Sequence, residues 1–524
     1  MILFEPVFEE EEPEEIEEEL QEEEIVFKEH WEKEEQQEII EEKEDRSISP
    51  ETLEKEEQWK ITGEKQNRVI FNESMEGEET SKKPQEIDEA DKNIKNQITN
   101  STDKQYLEES TENQPQSPIS TKKAETKLKK SGIGSHQKVE ILLGKSKLSR
   151  EQIIWNYTNK AMANRHLLIT GKSGQGKTYA IQSFLMEFAK AGIPIIIFDY
   201  TEGFTNKKLN TIFKEQLQGK IKQNLIKINK MPINPFLCQE INIHEIIDEE
   251  VLADMTEEQI RNHSREDSVA VASRIASILC HVYTFGDQQY ATIYQACKKG
   301  IDSYGDDMNF EQFRRILEEM NTKEAKTVLN KLTPFLDTNL FDTKGTMDWS
   351  EMLYNDGMVN VIQLTQIPRD MQIVATEFIL WDMWYYSLLH GEEGKPFIVV
   401  LDEAQNLDFG EKSPSNKILT EGRKFGWSGW FATQFLKGQL KEDEIGRLQQ
   451  TSQRIYFRPP DNEITSMATS IDQDRAHVAE WVNKLKKLQK GNCIVTGDSI
   501  FGEHGQKLVP LQISVSSMEE RLEK

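Results

Sequence analysis

The sequence predicts an α/β protein: a doubly wound sheet around a phosphate-binding loop, with a helical insertion, preceded by a largely disordered acidic tail. Three observations predict it. A glycine-rich loop, GKSGQGKT at 171–178, lies between an apolar strand and an amphipathic helix. Further apolar runs of strand length alternate with helical stretches, as strands buried on both faces of a parallel sheet do. Charge is also segregated along the chain. Of 92 Asp+Glu and 64 Lys+Arg, residues 1–120 hold 39 and 13, so −26 of the net −28 lies there and residues 121–524 are near neutral.

The tail, 1–120, contains EEEEPEEIEEELQEEE at 9–24, in which twelve of sixteen residues are glutamate. Like charges at this density repel, and few apolar anchors follow, so the segment is expected to be largely disordered, with local helix possible within 14–45. A solvated tail and a DNA-mimicking or partner-docking arm both fit it. A Lys/Ser/Gly-rich linker occupies 121–138. The four cysteines (238, 280, 297 and 493) form no CxxC pair, as in a reduced cytoplasmic protein. The nine histidines form no HxH or HExxH cluster, so no His/Cys metal site is suggested. No long apolar run or secretory pattern is present, and no membrane association is expected.

The nucleotide half of the core is expected at 139–204. VEILLG (139–144), QIIW (152–155) and HLLITG read as strands, the last entering the glycine loop. After the loop, Ile181, Phe184, Leu185 and Phe188 share one helical face, and Gly192 stops the helix. IPIIIFDY (193–200) reads as a buried strand. Residues 205–350 read as mostly helical, with candidates at 245–260, 265–283, 287–303, 309–320 and 323–335. The second half of the core, 351–524, holds the strands MVNVIQL, KPFIVVL, GWSGWFATQ and QRIYFR, and a long apolar helix at 371–390 whose aromatics read as core.

GKSGQGKT matches G-x-x-x-x-G-K-[ST] in the required strand–loop–helix context. Gly171, Gly174 and Gly176 let backbone N–H groups turn toward phosphates beside the helix N-terminus, with Ser173, Gln175 and Tyr179 in the same loop. Lys177 is expected to neutralise β/γ-phosphate charge and Thr178 to ligate Mg²⁺, so ATP and Mg²⁺ are the cofactors. FIVVLDE delivers Asp402 to the Mg²⁺ shell and Glu403 to polarise the attacking water. Gln434, ending GWFATQ, is a γ-phosphate sensor or water-orienting group, or an ordinary strand-end amide.

Arg423, in TEGRKFG, suits a γ-phosphate in a neighbouring subunit, or pairs with a nearby acid such as Glu421; Arg454 and Arg458 are rivals for the role. Asp199 is either a cleft residue or a structural cap. The lysines of KLKKLQK (484–490) contact a phosphate backbone or form a solvated helix face. No LSGGQ-like signature is present. DEAQ has no SAT-like strand after it, which argues against a DEAx-box helicase.

Read together, ILLGK (141–145), NRHLLITGKSGQGKT (164–178), IIIFDYTEG (195–203), LDEAQNL (401–407), EGRKFG (421–426) and FATQ (431–434) resemble the HerA–FtsK family of DNA-pumping ATPases. Residues 278–301 and the helical insert resemble the HerA-like ATPases of bacterial defence systems, including phosphorothioation-dependent restriction. The resemblance covers about residues 138–520. DEAQ stands where DEAH is more usual.

The resemblance implies a RecA-like core with an additional-strand catalytic glutamate and a ring homo-oligomer, commonly a hexamer, around double-stranded DNA. It also implies that Lys177, Thr178, Asp402 and Glu403 act in cis while Arg423 completes the neighbour's site. The expected function is ATP-driven DNA translocation serving a separate nuclease or defence effector, since no nuclease centre is evident in this chain. The alternative is a nucleotide-gated oligomeric switch or scaffold that does not translocate.

Overall fold

The computed structural model describes residues 138–243, 247–437, 439–472, 474–506 and 509–523. The tail at 1–120, any helix within 14–45 and the linker up to residue 137 lie outside the described residues. Twelve strands are found among the described residues: β1 (Glu140–Ser146), β2 (Gln152–Asn156), β3 (Leu167–Thr170), β4 (Ile195–Asp199), β5 (Ile221–Leu225), β6 (Val359–Gln363), β7 (Phe397–Leu401), β8 (Trp427–Thr433), β9 (Gln453–Tyr456), β10 (Asn492–Gly497), β11 (Ile500–Gly502) and β12 (Leu511–Val515). They form one sheet in the order β11-β2-β1-β12-β10-β9-β3-β8-β7-β4-β6-β5.

The half from β9 to β5 is parallel throughout. Its inner strands β3, β4 and β7 are nearly continuous apolar runs because both faces are covered. Ile195 and Ile197 pack on one side with the helix Lys177–Lys190, while Ile196 and Phe198 pack on the other with the helix Arg369–His390. The first helix buries Ile181, Phe184, Leu185 and Phe188, the stripe its spacing predicts, and ends beside Gly192 at φ 86°. The second buries Phe378, Trp381 and Trp384 in the core. Helices at Glu249–Ala253, Glu257–His263, Ser268–Tyr283, Asp287–Tyr304, Phe310–Met320 and Lys323–Thr338 make up most of the insertion.

Two features depart from the sequence expectation. The other half of the sheet, β10, β12, β1, β2 and β11, is antiparallel. It extends the parallel core through the β9–β10 pair, so the whole is a mixed sheet. The region read as mostly helical also contains a strand, after the short helix Thr211–Gln216: β5, IKQNL, is the outermost described strand and pairs with β6 alone. Only half-buried, it lacks the apolar signature that marks its neighbours.

Candidate active site

The parallel strands run in one direction, so the loops after β3, β4, β7 and β8 gather at one edge of the sheet. The loop after β3 has three glycines with positive φ: Gly171 (139°), Gly174 (78°) and Gly176 (107°). A side chain would be strained at each. At Gly171 a Cβ would also stand 2.6 Å from the Cβ of Phe457. Gly176 precedes the helix Lys177–Lys190, whose N-terminal N–H groups face the same space. A cleft of about 540 Å³ opens there, lined by Ser173, Gly174, Gly176, Lys177, Thr178 and Tyr179 from the loop and helix. Thr201, Glu202, Gly203, Lys208, Asn210, Asp402, Glu403, Gln434 and Lys490 line its other walls.

The electrostatics of this cleft are unbalanced. The Lys177 ammonium donates to the Gly171 and Lys172 carbonyls and makes no ion pair among the described residues. Burial lowers its pKa, against the pull of Asp402 and Glu403. Asp402 is buried, and its pKa is raised to about 6, first by burial and then by Glu403. Its Oδ1 accepts from the Glu403 amide at 3.0 Å and its Oδ2 from the Thr201 hydroxyl at 3.1 Å. A loop of inward amides with a buried lysine suits a polyphosphate, and two adjacent carboxylates beside Thr178 suit a divalent cation. The donor set therefore fits ATP and Mg²⁺.

Glu403 follows β7 in a left-handed conformation, φ 54°. Gln434, just past β8, donates to its Oε1 at 2.7 Å, and Gln405 donates to its Oε2 at 2.6 Å. Arg369 Nη2 lies 3.8 Å from the same Oε2, and its guanidinium covers the Tyr200 ring at 4.9 Å. Gln405, Arg369, Thr201 and Lys208 are positions that sequence reasoning missed. Only Gln405 carried a local signal, as the fourth residue of DEAQ.

Of the other residues singled out from sequence, the Gln175 carbonyl accepts from the Gly491 amide at 3.0 Å, joining the loop to the start of β10. The Tyr179 hydroxyl accepts from the Met518 amide at 2.9 Å. Asp199 is a buried cap: it accepts from the amides of Thr201 (3.2 Å) and Phe204 (2.9 Å) and from Gln363 Nε2 (2.9 Å). Arg454 donates to the Ser470 carbonyl at 3.2 Å. Arg458 lies against the phosphate loop, its carbonyl accepting from the Lys172 amide at 2.9 Å. Arg423 is not in the cleft. It sits at the opposite end of β8, donating to the Met162 and Ala163 carbonyls at 2.9 and 2.8 Å and to Glu393 at 2.9 Å.

Residues 146–382 match the family described as "Helicase HerA, central domain". The DNA double-strand break repair helicase HerA of Saccharolobus solfataricus is 23% identical over 350 residues, 64% of this chain and 62% of that protein. The chain therefore spans under two thirds of the length of that relative. The structure of VirB4 of Thermoanaerobacter pseudethanolicus superposes with a TM-score of 0.51 at 13% identity, covering 74% of this chain and 98% of that one. The plasmid coupling protein TrwB, in its complex with ADP and Mg²⁺, gives a TM-score of 0.43 at 14% identity over 67% of this chain and 85% of its own.

Proposed function

We propose, from the premise that this chain is a P-loop ATPase of the HerA–FtsK type with the HerA central domain in residues 146–382, that it hydrolyses ATP to translocate double-stranded DNA. The observation that carries the reading is Glu403, held over the cleft beside Lys177 and Asp402 by the terminal amide of the next strand. Lys177 and the amides of residues 171–178 hold the phosphates. Thr178 and Asp402 would hold Mg²⁺, which would supply positive charge to offset that of the phosphates. Glu403 takes the proton of the attacking water, and Gln434 keeps that carboxylate in line.

On this reading the subunits form a ring, commonly of six, in which Arg423 meets the nucleotide of the next subunit. The motor works in the cytoplasm for a separate nuclease or defence effector. No described helix is long and apolar enough to cross a membrane.

The test is steady-state ATPase activity with and without duplex DNA, for the full chain and for Glu403→Gln. DNA is expected to stimulate hydrolysis, and the substitution to lower it by about 10²–10⁴-fold, the usual contribution of a general base. Hydrolysis indifferent to both would overturn the reading. ATP-dependent assembly in native mass measurement without DNA affinity would favour the switch or scaffold instead.

A further inference from the structure

The segment that follows β4 differs in charge from the rest of the body. Residues 207–230 contain seven lysines, at 207, 208, 214, 220, 222, 227 and 230, against a single acid, Glu215. Five of the seven are exposed, with Lys214 and Lys220 half-buried. None of them forms an ion pair among the described residues. In the other lysine run, at 484–490, one lysine of four is paired among the described residues. In the helix Arg475–Lys487, Lys484 is paired with Glu480 and lies 4.2 Å from the centroid of the Trp481 ring. One or two lysines on an outer strand serve to discourage edge-to-edge pairing. Lys222 alone lies on β5 and meets that need; the other six lie on the helix and loops around it, with Glu215 the one acid among them.

This basic segment is also wired to the nucleotide cleft. Lys208 lines the cleft itself. On β5, Gln223 donates to the Phe204 carbonyl at 3.0 Å and accepts from Gln363 at 2.9 Å. Gln363 also donates to Asp199 at 2.9 Å, Asp199 accepts from the Thr201 amide, and the Thr201 hydroxyl bonds Asp402. Continuous hydrogen bonds therefore run from the metal-shell carboxylate to the lysine-bearing edge.

We propose that residues 207–230 form the surface that grips the phosphate backbone of duplex nucleic acid; this rests on the reading of the chain as a DNA-dependent ATPase. Ammonium groups on long stems are point charges without the planar fork that reads bases. They give sequence-independent contact, which is what a translocating motor requires. Each lysine that neutralises one phosphate contributes about 0.9 to the slope of log affinity against log salt.

The experiment is fluorescence titration of a labelled mixed-sequence DNA duplex with the full chain between about 50 and 200 mM salt. Three proteins are compared with the unaltered one: the triple substitution Lys207→Gln, Lys222→Gln and Lys227→Gln; the same three positions changed to Arg; and Lys484→Gln, Lys486→Gln and Lys487→Gln together. The first is expected to flatten the slope by about 2–3, with the other two close to the unaltered protein. An unchanged slope in the first, or an equal loss in the 484–487 variant, overturns the surface while leaving the DNA motor standing. Absence of salt-sensitive binding by the unaltered protein overturns the motor reading itself, and the surface with it.

Discussion

Gln434 Nε2 donates to Glu403 Oε1 at 2.7 Å, so the end of β8 holds the carboxylate carried on the end of β7. Gln405 takes the second oxygen at 2.6 Å, and the Thr433 hydroxyl donates to Gln405 Oε1 at 2.6 Å. These contacts close a loop through two neighbouring strands and over-determine Glu403, whose left-handed backbone is strained for a non-glycine residue. Gln405 gives the fourth residue of DEAQ a physical task, which is to relay the position of β8 to the carboxylate.

Removing either amide releases the carboxylate without touching the phosphate loop. Gln434→Ala and Gln405→Ala should each lower kcat by about tenfold or more, the worth of a hydrogen bond to a charged group, and leave the KM for ATP nearly unchanged. Because both residues act through Glu403, neither substitution should lower activity further in a Glu403→Gln background. Steady-state kinetics on the single and double variants check this. Losses that simply multiply would show that the glutamines act elsewhere.

Much of this arrangement was legible locally. The glycine loop, the apolar strands β3, β4 and β7 and the stripe Ile181–Phe188 are short-range patterns, and each reflects burial within a few residues of itself. Pairings distant in sequence were not legible. β1 meets β12 at Gly144 opposite Val515, and nothing in either strand names the other. Lys208 and Thr201 reach the cleft through a loop whose path depends on Asp199, Gln363 and Gln223, three polar residues without periodicity. Arg369 comes beside Glu403 because β6 lies next to β4 in the sheet, an order that local pattern does not encode.

Glu377 is fully buried in the helix Arg369–His390, and its pKa is pushed up to about 8 by burial, then by Asp408, against a bond from the Asp408 amide. The ordinary value is 4.5, so the folded state holds a proton that the unfolded chain has released. The resulting stabilisation is complete below about pH 4.5, declines as pH rises and is gone above about 8. Glu377→Gln, which cannot ionise, should therefore lose less stability than the unaltered protein between mildly acidic pH and pH 8. Denaturant melts at both ends of that range measure the difference. Parallel curves would mean that Glu377 is ionised throughout.

Arg423 and Gln434 stand at opposite ends of β8, a seven-residue strand, and are therefore separated by about 20 Å. Arg423 cannot reach the γ-phosphate position of its own chain, and its guanidinium is pre-oriented by two carbonyls and Glu393. If it serves the neighbouring subunit, Arg423→Ala should lower hydrolysis on the order of a thousandfold, the scale of an arginine finger. Loss of activity alone would not separate this from a folding defect. Mixing Arg423→Ala chains with Glu403→Gln chains does. At some interfaces of a mixed ring, one chain brings an intact Glu403 and the next an intact Arg423, so activity should exceed that of either variant alone. A structural role for Arg423, or action on its own chain's nucleotide, leaves every mixed interface defective, and the mixture would stay as inactive as its parts.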